Sequence, residues 1–235
     1  MASGGSRWLN RGNTRDVVLV LCVASVVLTP HPGWQAIPAA ILLAAGTALH
    51  VLVKGTLIRN QMLCRMGPYR LARHPYYLAN YLVDCSFCLL TANPYLLTLL
   101  PFLFFWGYGP SLRSEEARLW ELHPGDHARF MGDTPQLFPD GTDRPSLRTL
   151  WAVFSVRRMT ANELRRVVRF WGVFAGLLAL QWGMAAIHAG ATLAEAWRRP
   201  AVQVCGVAGL ALLVVAQAPL RKRRAAAASP QPKPS

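Results

Sequence analysis

Two short stretches carry most of the polar chemistry in this chain. "RHPYY" runs from Arg73 to Tyr77, and "RSEEARLWE" from Arg113 to Glu121. The first sets a guanidinium and an imidazole, both donors for an anion, beside two phenols and a proline that fixes the backbone. The second sets paired carboxylates, Glu115 and Glu116, which accept from a cation. A third group, Asp84, stands in an apolar run, where a carboxylate costs at least ~2.5–3.5 kcal/mol on insertion scales. Taken singly, each has an ordinary explanation. Arg73 and His74 can snorkel at an interface, Pro75 can open a helix, the glutamates can form a solvated face, and Asp84 can bond a neighbouring helix. Together they are the first sign of a site.

The elements that must position these groups are apolar. The 235 residues are 53% hydrophobic and only 15% charged, with mean hydropathy +0.25, against about 25% charged in soluble domains. Apolar segments fall at 16–30, 36–53, 76–92, 94–112, 168–190 and 200–219. All but the first reach the length of a membrane span. Twenty-three of the 25 lysines and arginines lie in alternate loops and termini, leaving only Arg198 and Arg199 opposite. That asymmetry predicts six spans with both termini cytoplasmic, and a bacterial inner membrane is the expected location. It also accounts for the net charge of +14 without nucleic acid, since no basic stripe interleaved with aromatics marks a soluble domain.

The N-terminal apolar run lacks a small-x-small cleavage site and reads as a retained span. Cys85 and Cys88 form a CxxC inside an apolar helix and read as small core residues, and no metal site is expected. His50 and His188 read as packed or interfacial. Residues 146–158 place Leu147, Leu150, Trp151 and Phe154 on one face, which predicts an amphipathic interfacial helix. Residues 221–235 read as a disordered basic tail.

Only "TANP" joins the third and fourth spans, so they form a tight antiparallel hairpin turning on the non-cytoplasmic side. Its two outer ends, bearing Arg73–Tyr77 and Arg113–Glu121, are expected to meet at the cytoplasmic face. Tyr77, Asn80 or Tyr81, and Asp84 share one helical face along the third span. Asp84 is open to two roles, a structural hydrogen bond to a neighbouring helix, or a base or counter-ion for an amine acceptor.

The stretch "GPYRLARHPYYLANYL", followed by "NPYLLTLLPFLFFWGYGPSLRSEEARLWELHPGDHARFMGDTPQLFP", resembles the integral membrane methyltransferases typified by isoprenylcysteine carboxyl methyltransferase and phosphatidylethanolamine N-methyltransferase. The likeness covers residues 67–139. It implies an all-α polytopic membrane fold holding S-adenosyl-L-methionine at the cytoplasmic face. By position it assigns Tyr69, Arg73, His74, Pro75, Tyr76, Tyr77, Glu115 and Glu116 to the cofactor, together with the more weakly similar Gln61, Met62, Leu63 and Cys64. Arg113 is the nearest candidate for the family's substrate arginine, and Asp84 is the second candidate catalytic residue. Ala79 stands where many members have glycine, His127 and Phe130 where they have tyrosine, and Gln136 where they have arginine. Those departures bear on the acceptor.

The resulting organisation is N-terminal helices at 1–66, a methyltransferase core at 67–139, an interfacial segment at 140–165 and a C-terminal helix pair at 166–220. The bilayer and a lipophilic acceptor are the expected partners, with a homo-oligomer possible through the last two helices. The acceptor is a prenylcysteine-type carboxylate or a lipid amine. Two rivals stand beside this reading. One is an NADPH-dependent membrane reductase of similar fold, because some steroid-type reductases carry a similar Arg-His-Pro-x-Tyr. The other is a non-enzymatic scaffold or transport element.

Overall fold

A computed structural model describes residues 12–31, 33–56, 64–141 and 145–217. The cofactor candidates Gln61, Met62 and Leu63 and the expected basic tail lie outside these residues.

The described residues form an all-helical protein without strands. In chain order the α-helices are α1 (Thr14–Leu28), α2 (Ala36–Thr56), α3 (Pro75–Leu90), α4 (Pro94–Leu122), α5 (Pro124–Asp133), α6 (Leu147–Trp151), α7 (Ala161–His188), α8 (Leu193–Arg198) and α9 (Pro200–Gln217). Their starts follow from local chemistry. Prolines open α3, α4 and α5, where the missing N–H costs no intrahelical bond. Capping boxes open α7 (Thr160 with Glu163) and α8 (Thr192 with Glu195).

Four helices, α2, α4, α7 and α9, are long and apolar enough to cross a membrane. The expected first and third spans fall short of that length. At 15 and 16 residues, α1 and α3 reach about 22–24 Å against a hydrocarbon core of about 30 Å. The fourth segment runs the other way. Gly109 and Pro110 do not end it, and α4 continues for 29 residues to Leu122 with Pro101 and Pro110 inside it, about 44 Å of helix. Glu115 and Glu116 therefore sit on a helix that is itself long and apolar enough to cross a membrane.

Helix α3 lies at the centre. Val83 and Phe87 on α3 pack with Val18 and Cys22 of α1, Leu43 of α2, Leu100 of α4 and Phe174 of α7, all buried. Close approach between helices rests on glycine. A methyl on Gly46 would stand 3.0 Å from Val83. One on Gly209 of α9 would stand 2.9 Å from the Gly176 amide and 3.0 Å from the Gly172 carbonyl of α7. The outer face of α9, with Val204, Val207, Leu210 and Val214 exposed, is apolar as a lipid-facing helix must be.

The hairpin turn at 91–93 is held from both sides. Asn93 caps α4 through the Tyr95 amide and donates 3.0 Å to Ser25. Fully buried Gln35 donates 2.8 Å to the Leu90 carbonyl.

The expected amphipathic helix over 146–158 forms only at Leu147–Trp151. The chain then turns inward. Phe154 packs against Gly55, and the Ser155 amide donates 2.9 Å to the Gly55 carbonyl at the end of α2. Anchoring to α2 replaces the next helical turn.

Candidate functional site

The two outer ends of the α3–α4 hairpin do meet. His74 is the N-cap residue of α3, and Pro75 fixes the first helical position after it. The backbone N–H groups of Arg73 and His74 donate to the carbonyls of Pro135 (2.8 Å) and Gln136 (3.1 Å). The segment after α5 thus clamps the pair against α4. Arg73 Nη2 lies 3.0 Å from Glu116 Oε1, and His74 Nε2 lies 3.2 Å from the same oxygen. Arg73 Nη1 also donates 3.2 Å to the Met131 carbonyl. One carboxylate oxygen therefore gathers a guanidinium and an imidazole from 42 or 43 residues away in the chain.

This junction is mostly dry. His74 is 3% exposed and the Glu116 side chain 18%. Burial pushes the His74 imidazole below its ordinary value, against the opposing pull of Glu115 and Glu116. Arg73 Nε is buried with no acceptor among the described residues, so the junction keeps an unused donor.

Tyr69 and Cys64 flank it. Gly67 opens the preceding 3-10 turn at φ +60°, in the left-handed region that glycine adopts without cost, and a Cβ there would meet the Leu150 carbonyl at 3.1 Å. Burial pushes up both the Tyr69 phenol and the Cys64 thiol, and Glu115 adds to the rise at Tyr69. Glu115 itself is exposed. Arg113 is exposed too, with its guanidinium folded back along α4 beside Gly109.

The adjacent tyrosines part company, because consecutive helical residues point about 100° apart. Tyr77 is buried, its ring edge-on to His74 at 5.8 Å and to Tyr108 of α4 at 5.7 Å. Tyr76 turns the other way. Lys54 of α2 lies 4.2 Å over its ring, His50 packs on it at 5.1 Å, and Arg166 of α7 donates to its hydroxyl. Lys54 in turn pairs with Glu163 at 3.4 Å. His50 is fully buried, and neither ring nitrogen has a partner among the described residues. So the five residues of "RHPYY" serve two places rather than one.

Asp84 has a partner of its own. It is fully buried and accepts from Arg15 Nε at 2.6 Å, while Arg15 also reaches the Asn80 side chain at 3.1 Å. Its Oδ1 is thus engaged by a guanidinium, while Oδ2 is buried without a partner among the described residues. This supports the structural role, with a cation as partner.

Near this pair a cavity of about 530 Å³ opens between α1, α3, α4 and α7, reaching Arg15, Tyr76, Tyr108, Arg166, Arg169 and Phe87. Sequence reasoning did not single out Arg15, Lys54 or Arg166. A carboxylate inside an apolar helix calls for a cation, but not for Arg15 in particular.

Chemically, the junction offers donors for an anion and acceptors for a cation within one partly buried contact. It can hold a zwitterionic ligand. Compared with protein-family models, curated proteins and solved structures, the chain matches none.

Proposed function

We propose that this protein is an integral membrane methyltransferase that uses S-adenosyl-L-methionine on a lipidic acceptor. The observation that carries the reading is the convergence of Arg73 and His74 on Glu116. The donor set fits the cofactor's amino-acid end. Glu115 and Glu116 accept from an ammonium, while Arg73, with a buried Nε still unused, and His74 donate to a carboxylate. Tyr69 and Tyr77 supply aromatic faces and edges beside them, and ring attraction for a cation contributes about 0.5–2 kcal/mol. When bound, the cofactor supplies a methyl group on a sulfonium. The contribution of the protein is to hold donor and acceptor together in a dry place, worth up to about 7–11 kcal/mol of the barrier.

On this reading the chain has six membrane-embedded segments with both termini cytoplasmic, in a bacterial inner membrane. Because α1 and α3 are short, they reach across only with the support of α2, α4 and α7 packed around them. The acceptor is a prenylcysteine-type carboxylate or a lipid amine. Asp84, tied to Arg15, supports the carboxylate, which arrives already ionised and needs no base.

Calorimetry of the detergent-purified protein with S-adenosylhomocysteine and with NADPH tests the proposal. Binding of the first alone is expected. Binding of NADPH alone would replace methyl transfer by reduction, and binding of neither would remove the enzymatic reading.

A further inference from the structure

The cavity between α1, α3, α4 and α7 has a shape and charge of its own. It is polar at one end and apolar at the other. At the polar end stand Arg166 and Arg169 from the first turns of α7, with the Tyr76 hydroxyl that Arg166 contacts. At the apolar end stand Leu19, Phe87 and Val173. Tyr76 and Phe87 both lie on α3, eleven residues apart, so the cavity extends about 16 Å along that helix. Its volume, about 530 Å³, is that of a ligand site rather than a packing defect.

The charges sort into committed and available. Arg15 lines the cavity but is neutralised by Asp84 at 2.6 Å, and it stacks over Phe170 at 4.5 Å. Asp16, also lining and exposed, opposes an anion. Against it stand two guanidiniums. Among the described residues Arg166 bonds the Tyr76 hydroxyl, and neither it nor Arg169 pairs with a carboxylate. Both are exposed, and Leu19, Phe87, Phe170 and Val173 give the cavity an apolar wall beside the polar Arg15 and Asn80. Two forked donors and a phenol beside a long apolar slot suit a head with several anionic or ester oxygens on a hydrocarbon chain.

We propose that this cavity is a binding site for a phosphate-headed lipid. Its head is held by Arg166, Arg169 and Tyr76, and a chain lies along α3 toward Phe87. A basic pocket between membrane helices at their arginine-rich ends is where such a head would be found. The buried Tyr77 and Tyr108 rings separate it from the Arg73–His74–Glu116 junction. The inference stands on the cavity and not on the methyl-transfer reading.

The test is binding of short-chain phosphatidylglycerol, short-chain phosphatidylcholine and inorganic phosphate to the purified full chain, followed by native mass spectrometry and by thermal shift. Phosphatidylglycerol is expected to bind and stabilise, with phosphatidylcholine and phosphate both much weaker. The double variant Arg166→Gln/Arg169→Gln should weaken phosphatidylglycerol by about ten- to a hundredfold. Arg166→Lys/Arg169→Lys should recover part of that loss, since both positions are exposed and their removal leaves the core intact. Val173→Trp, which fills the apolar end, should also weaken the lipid. Equal binding of both lipids, phosphate binding as tightly as phosphatidylglycerol, or a glutamine variant with native affinity would each overturn the proposal.

Discussion

Glu116 does more for this molecule than its neighbour Glu115, and the difference is one of burial rather than of chemistry. The same carboxylate is exposed at 115 and nearly enclosed at 116, where it balances a guanidinium and an imidazole. Removing it leaves Arg73 buried without its countercharge. Glu116→Ala should therefore lower the unfolding free energy by about 1.5–3 kcal/mol, the scale of hydrogen bonds to charged groups. Glu115→Ala should leave stability near native, as read by thermal unfolding in detergent. His74→Ala should weaken S-adenosylhomocysteine by a similar about 1.5–3 kcal/mol, as read by calorimetry; native affinity would move the cofactor elsewhere.

The depressed His74 value also fixes a pH response. Its folded pKa lies below the unfolded value of 6.5, so the native state binds fewer protons between the two. The stability it contributes is complete above about 6.5 and is lost as pH falls through the folded value. Melting temperature should fall on acidification below pH ~6.5, and less steeply in His74→Gln. A second residue-scale test concerns Asp84. Asp84→Asn strands Arg15 and should cost about 3–5 kcal/mol, whereas Arg15→Met/Asp84→Leu together should recover most of it.

At the scale of elements, helix starts were legible in part and helix partners were not. Pro75 opens α3 as expected, whereas α7 starts at Ala161 behind the Thr160–Glu163 capping box, seven residues before the expected segment at 168. The meeting of the hairpin ends was legible as well, because a short turn leaves two helices little freedom. The partner of Asp84 was not. Arg15 is 69 residues away, and among 25 basic residues only three-dimensional packing selects it.

Packing of the last two helices makes its own prediction. Gly209→Ala would press a methyl against the α7 backbone and should destabilise by about 1–3 kcal/mol. Gly206→Ala, whose methyl would meet only side chains at 3.8 and 3.9 Å, should be near neutral. Equal melting temperatures for the two would show that α7 and α9 do not cross so closely.

For the whole molecule, reporter fusions at Pro145 and Gly190 should fall on opposite sides of the membrane, the first cytoplasmic; a shared side would remove the six-segment topology. The unbroken length of α4 then has a mechanical meaning. Glu116 lies 22 residues from Pro94 along one helix, about 33 Å of rise, against about 30 Å of hydrocarbon. On the proposed topology the helix acts as a measuring rod, with one end at the turn and the polar junction only just clear of the oil at the other. A thin bilayer would lift that junction into bulk water, and a thick one would submerge it. Reconstitution into phosphatidylcholines of short, medium and long acyl chains should accordingly give tightest S-adenosylhomocysteine binding at intermediate length, making bilayer thickness a physical control on the site.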